Sequence, residues 1–252
     1  MRDPLDGWVD CACGSRHWGR GGAAGLALFD ATPTLGARVG VSEAPSTIAL
    51  QLRSERSHQG GTWALPGGAI GTGESALAGA LREAQEEADI RSADVLPVVS
   101  SVLDHGTWSY TTIVARTIGA TRPVLLPLDG ESADLRWVPL DAVASLPLHP
   151  SFAAAWPALR SLATVEPTLL IDAANVLGAR PDGWWRDRAG ATSRLLARVS
   201  AAVVQGVPGA WFGLEAAAAW PRTVVVLEGR ARETLDPDGE AHLRLLRAPG
   251  SG

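Results

Sequence analysis

From Glu74 to Asp89 the sequence gathers five carboxylates, Glu74, Glu83, Glu86, Glu87 and Asp89, around Arg82. Leu77, Ala80, Leu81, Ala84 and Ala88 fall at the i, i+3, i+4, i+7 spacing of a buried stripe, so Ser75 to Ala88 reads as an amphipathic helix. On that helix Glu83, Glu86 and Glu87 converge within an arc of roughly 100°, because residues three and four apart are neighbours. Such crowding is unfavourable: like charges at i, i+4 repel by about 0.2–0.5 kcal/mol, and anions near a helix C-terminus oppose the macrodipole by about 0.3–1 kcal/mol each. Arg82 offsets part of this by reaching Glu86, and a bound divalent cation offsets the rest. Clustered hard oxygen donors suit Mg2+ or Mn2+, which keep several waters and bridge to substrate phosphates. The competing reading is a solvated acidic helix face.

The elements that must position this helix read as strands. Gly22 to Phe29, Ser46 to Leu52, Val98 to Leu103 and Tyr110 to Thr117 are rich in aliphatic or β-branched residues and are bounded by Gly, Pro, Ser or Asp. Leu135 to Val138 predicts a further short strand, Pro139 to Leu146 a short helix, and Ser151 to Leu162 a longer helix interrupted by Pro157. Glu166-Pro167 favours an extended chain and marks a boundary near Thr164 to Pro167. Beyond it, a strand at Thr168 to Ile171, a helix at Ala191 to Val204 and strands at Thr223 to Leu227 and His242 to Leu246 alternate as in a parallel α/β unit.

Composition narrows the chemistry. The 252 residues carry a formal charge of −5, 46% hydrophobic and 19% charged residues, which describes an ordinary globular chain of one or two domains. All 22 cationic residues are arginine, so Schiff-base and phosphate-loop lysines are excluded. The charge balance also lacks the basic footprint of a non-specific duplex binder. Two cysteines suggest a reducing compartment rather than a disulfide framework. No segment resembles a signal peptide or a bilayer span, and the expected location is cytoplasmic, with no membrane partner.

The spacing of Gly68, Glu74, Arg82, Glu83, Ala84, Glu86, Glu87 and Ile90 resembles the signature of the Nudix hydrolases: glycine, five residues, Glu, seven residues, Arg-Glu, an apolar residue, one residue, Glu-Glu, one residue, glycine, an apolar residue. Trp63-Ala64-Leu65-Pro66-Gly67-Gly68 is similar to the family's lead-in. Ala84 is smaller than the usual aliphatic residue, and Asp89 stands where the family has glycine. The resemblance implies an α/β/α sandwich with a mixed sheet over residues 1–163. It also implies Mg2+- or Mn2+-dependent hydrolysis of a phosphoanhydride bond in a nucleoside diphosphate linked to another moiety. By the same resemblance Glu83, Glu86 and Glu87 hold the metal with the Gly68 carbonyl, Glu83 orients or deprotonates the water, and Glu74 and Arg82 brace the loop. Arg53 resembles an arginine used on phosphate, and Glu131 a downstream glutamate used as base or extra ligand. Nudix domains often dimerise, so a homodimer is one expected state. A catalytically silent nucleotide sensor is the alternative.

The remaining candidates are weaker. Cys11, Cys13 and His17 offer three zinc ligands, but no fourth lies nearby in sequence, so reduced cysteines in a loop are expected. His17 to Gly25 reads as the approach to the first strand. Asp104-His105-Gly106 and Trp108 fall between two strands, where a base could stack on Trp108 or Tyr110 or where a plain turn could pack. Residues 168–252 read as a small Rossmann-like α/β domain. Leu170 to Val176, followed by Pro181 to Arg188, resembles the opening of the NYN group of PIN-like ribonucleases. That resemblance implies Asp172 and Asn175 at a metal site, Asp187 and Glu228 as further acids, and RNA as a partner of this domain alone. The group's later acidic cluster, expected after a turn like Ala248 to Gly252, has no counterpart, so the domain is expected to be truncated or completed elsewhere. The plainer reading makes Asp172 and Asn175 turn caps.

Overall fold

The computed structural model describes residues 3–31, 44–119, 121–128, 130–179, 183–234 and 242–249. The chain divides into two compact units, Met1–Val165 with Glu215–Ala217, and Glu166–Leu214 with Ala218–Gly252.

In the first unit a hairpin, β1 (Trp8–Asp10) and β2 (Arg16–Trp18), precedes the main sheet. Its strands are β3 (Ala23–Phe29), β4 (Thr47–Arg53), β5 (Trp63–Ala64), β6 (Gly67–Ala69), β7 (Val95–Asp104), β8 (Ser109–Thr117) and β9 (Ser132–Pro139). They run in the order β7-β8-β3-β4-β5, with β6 added to β3 and β9 to β4. The β3–β8 pairing is parallel and the others are antiparallel, which makes the sheet mixed. Every residue of β3 is buried. Successive side chains of a strand point to opposite faces, so both faces of the sheet are covered there. Helix α1 (Ala76–Ala88) packs against β3 and β6. Helix α2 (Pro150–Leu162) buries Phe152, Trp156 and Leu159, and the Trp156 ring lies 6.4 Å from Phe29 of β3.

The expected strands and α1 are present, with ends shifted by a few residues. The helix predicted over Pro139 to Leu146 is reduced to one 3-10 turn, Val143–Ser145. Prolines at 139 and 147 leave too few residues between them to repay helix nucleation, and the segment closes by i to i−3 bonds instead. Helix α2 runs through Pro157 and starts with Pro150, a position where the missing N–H costs nothing. The hairpin was not signalled, since three-residue strands are too short to show alternation; its Trp8–Trp18 pair meets edge to face at 5.4 Å.

In the second unit β10 (Thr168–Asp172), β13 (Arg222–Leu227) and β14 (Leu243–Arg247) form a parallel sheet in that order, as the alternation predicts. Helices α3 (Ala173–Gly178) and α4 (Arg188–Gln205) follow β10, and β11 (Val207–Pro208) pairs with β12 (Ala218–Ala219). Ala173, Leu196, Val225, Leu227 and Ala231 form its core. Among the described residues no helix is long and apolar enough to cross a membrane.

Candidate active site

The loop from β6 into α1 is fixed before any ligand is considered. Ser75 caps α1 by accepting from the Ala78 N–H at 3.1 Å, and Glu74 Oε2 accepts from the Gly71 N–H at 2.8 Å. Arg82 then clamps loop to helix. Its Nε and Nη2 donate to the two Glu74 oxygens at 3.0 and 3.1 Å, and Nη2 also donates to the Ala69 carbonyl at 2.9 Å. Its Nη1 reaches Glu83 at 2.8 Å and Glu86 at 3.0 Å. The sequence expectation of an Arg82–Glu86 contact understates this, because one guanidinium serves three carboxylates and a carbonyl. Arg82 holds the Glu74 carboxyl below the usual carboxylate range.

The three helix glutamates differ in environment. The Glu86 side chain is 55% exposed, that of Glu83 16%, and Glu87 as a residue only 3%. Glu87 is therefore not on an open acidic face. Its Oε2 accepts from the Gly67 N–H at 2.7 Å and from Gln51 Nε2 at 3.1 Å. Gln51, itself buried on β4, donates also to the Leu65 carbonyl at 3.2 Å, and its Oε1 accepts from the Ser132 hydroxyl. Burial pushes the Glu83 carboxyl above its usual range; Arg82 works against this, while Glu86 and Glu131 push the same way as burial. A Cβ at Gly68 would lie 2.6 Å from the Glu83 carboxyl carbon, so glycine there lets the carboxylate lie against the strand backbone. Helix α1 closes at Asp89, whose φ of 56° is left-handed; its N–H donates to Gln85 O, the single bond of the simpler left-handed cap, and the Ile90 N–H donates to Ala84 O.

The structure brings Glu74, Arg82, Glu83, Glu86, Glu87 and the Gly67-Gly68 strand together. Arg53 ends β4 with its Nε donating to the His58 carbonyl at 3.2 Å. Glu131 is exposed, and its carbonyl accepts from the Ser54 N–H at 2.8 Å. Gln51 and Ser132 were missed; the one visible signal was a glutamine inside the apolar run Ile48 to Leu52. Trp108 has one face covered by the His17 ring, stacked at 4.0 Å, and Tyr110 sets its hydroxyl against Gly25 and Gly67. These placements favour sheet packing over base stacking. Tyr110 ionisation is pushed up, first by burial and then by Glu87.

Outside this site, the expectation that Cys11, Cys13 and His17 lack a fourth partner is corrected. His105, from the β7–β8 turn, brings its ring nitrogen into the group, and the four ligand atoms lie within 4.8 Å of one another. Hydrogen bonds from the Cys13 N–H and the Thr107 hydroxyl hold the Cys11 thiol down to about 7. In the second unit Asp172 caps α3 by accepting from the Asn175 N–H at 3.1 Å, and the Asn175 amide donates to its other oxygen at 2.8 Å. Asp187 caps α4 through the Gly190 N–H at 2.9 Å, and Glu228 follows β13. Pro181 and Asp182 of the ribonuclease-like stretch, and Gly250 to Gly252, lie outside the described residues.

A mixed sheet carrying a loop-and-helix carboxylate cluster defines an α/β protein with a site suited to hard cations. Residues 33–160 match the NUDIX domain, and the chain belongs to the Nudix hydrolase family. It is 41% identical over 179 residues to "Putative 8-oxo-dGTP diphosphatase 3" of Mycobacterium tuberculosis, covering 68% of this chain and 76% of that protein. It is also 41% identical over 157 residues to a nucleoside triphosphate pyrophosphatase/Nudix hydrolase fusion protein of Bifidobacterium longum, covering 62% of this chain but only 31% of that protein. The Nudix hydrolase RenU of M. smegmatis is similar in structure, with 42% identity, a TM-score of 0.54 and coverage of 62% of this chain and 94% of that one. Nudix hydrolases are generally divalent-metal dependent.

Proposed function

We propose that this chain hydrolyses a phosphoanhydride bond in a nucleoside diphosphate linked to another moiety, with Mg2+ or Mn2+ held by Glu83, Glu86, Glu87 and the Gly68 carbonyl. The observation that carries the reading is the convergence of three carboxylates in graded environments beside one glycine strand, braced by Arg82. Hard oxygen donors in this number fit either ion. When bound, the cation supplies charge neutralisation at the diphosphate and a more acidic water. Glu87 is fixed through Gly67 and Gln51. Glu83, lying against Gly68, is assigned to orient or deprotonate the water. Arg53 and Glu131 are assigned to the substrate side, Arg53 on phosphate. The names of two relatives point to nucleoside triphosphates, in which the further phosphate is the other moiety, with 8-oxo-dGTP among them.

The test is product release from a panel of nucleoside triphosphates including 8-oxo-dGTP, nucleotide sugars, dinucleotides and dinucleoside polyphosphates, with Mg2+ or Mn2+. Turnover that Glu86→Gln abolishes while the fold survives supports the enzyme. Tight nucleotide binding with no cleavage of any substrate replaces it with the sensor. In the second unit Asp172 and Asn175 spend their side chains on each other and on the start of α3, which fits turn caps.

A further inference from the structure

We propose that Cys11, Cys13, His17 and His105 form a structural zinc site, separate from the carboxylates of α1. The turn joining β1 to β2 supplies Cys11 and Cys13, β2 supplies His17, and the turn joining β7 to β8 supplies His105. All four ligand atoms lie within 4.8 Å of one another, and Cys13 Sγ is already 3.2 Å from His17 Nε2. Tetrahedral zinc, with Zn–S of about 2.3 Å and Zn–N of about 2.0–2.1 Å, needs ligand atoms roughly 3.3–3.8 Å apart. Closing the group around an ion therefore takes displacements of about 1 Å or less.

A second observation points to a ligand. His105 Nδ1 is buried and makes no hydrogen bond among the described residues. A buried polar atom without a partner is rare and unfavourable, and a bound ion is one recognised cause. The His17 ring is also held in orientation from outside the group. His17 stacks on Trp108 at 4.0 Å and 10°, and Trp108 Nε1 donates to the Trp18 and Gly19 carbonyls at 3.2 and 3.1 Å. The His105 main-chain N–H donates to the Trp108 carbonyl at 2.9 Å and closes the β7–β8 turn, and the Thr107 hydroxyl donates to Cys11 Sγ at 3.4 Å.

The donor set decides the metal. Two thiolates and two imidazoles are borderline-soft ligands that select zinc over the hard ions suited to Glu83, Glu86 and Glu87. Four protein ligands fill a tetrahedron, leaving no position for substrate, so the role is to pin the β1–β2 hairpin to the β7–β8 turn. Binding takes up Zn2+ and releases the protons of the two thiols.

The experiment is elemental analysis of the full-length chain purified without chelator. Wild type is expected to carry about one zinc per chain, with His105→Ala and Cys13→Ser at about a tenth of that or less and Glu86→Gln unchanged. Because a variant can lose metal by misfolding, the metal-free wild type is also titrated with Co2+. A visible spectrum of tetrahedral cobalt with thiolate charge transfer, absent in folded His105→Ala, supports the site. Zinc-free wild type that gives no such spectrum overturns the proposal. So does full zinc retention in His105→Ala, or loss of both free thiols to a Cys11–Cys13 disulfide in protein that was never exposed to oxidant.

Discussion

Gln51 of β4 donates through Nε2 to Glu87 Oε2 of α1 at 3.1 Å, joining a buried strand glutamine to a buried helix carboxylate. Gln51→Leu removes one of the two donors named for that oxygen and leaves the carboxylate under-satisfied, at a cost of about 1–3 kcal/mol in stability. Loss of such a supporting contact is expected to weaken metal affinity or turnover by about 10–100-fold. A metal titration alongside thermal melts checks both. Unchanged metal affinity in Gln51→Leu would show that Glu87 is fixed without Gln51.

Gly67 and Gly68 separate folding from chemistry. A Cβ at Gly67 would meet the Ala24 carbonyl oxygen and the Gly25 Cα, both at 2.5 Å, and this backbone cannot give way locally. The nearest atoms to a Cβ at Gly68 would be those of the Glu83 carboxylate, the far end of a flexible side chain that can swing aside. Gly67→Ala is therefore expected to lower the melting temperature sharply. Gly68→Ala is expected to fold and to lose turnover by about 10-fold or more through misplacement of Glu83. Comparable melting temperatures for the two variants would contradict this division.

Asp89 holds the left-handed position that ends α1. Asp tolerates that conformation better than most side chains but less well than glycine, so Asp89→Gly is expected to add up to about 1 kcal/mol. That corresponds to a rise of about 2–4 °C in melting temperature, whereas Asp89→Ala is expected to lower it. Calorimetry on the pair decides the sign.

Glu74 gives a pH dependence. Its folded-state carboxyl is held below the ordinary value, first by Arg82. Such a group adds stability that is present above the ordinary carboxylate value and is lost as pH falls through the lower folded value. Glu74→Gln is expected to cost about 1–2 kcal/mol at neutral pH, allowing for the solvent that reaches Arg82. Its acid limb of melting temperature against pH should be shallower than wild type, and parallel limbs would exclude Glu74 as the linked group.

Local signals carried the helix and the loop. Ser75, the apolar stripe and the Gly68-to-Ile90 spacing fix α1 and its cap from contacts a few residues apart, and the apolar runs of β3 and β4 announce the sheet. Two features depend on separations that periodicity does not report. Glu87 is buried because β4 and β6 deliver Gln51 and Gly67 to it, and the helical wheel alone places it with the exposed Glu86. His105 joins Cys11, Cys13 and His17 only because two turns distant in sequence meet in space. The expected helix over Pro139 to Leu146 failed for a simpler reason, since bracketing prolines outweighed the apolar spacing.

The single guanidinium of Arg82, shared among Glu74, Glu83, Glu86 and the Ala69 carbonyl, acts as an internal counter-ion. On the proposed reading, a metal arriving at these carboxylates meets donors that are already ordered, so little conformational entropy is lost on binding, while it must share those oxygens with a positive charge that is tethered in place.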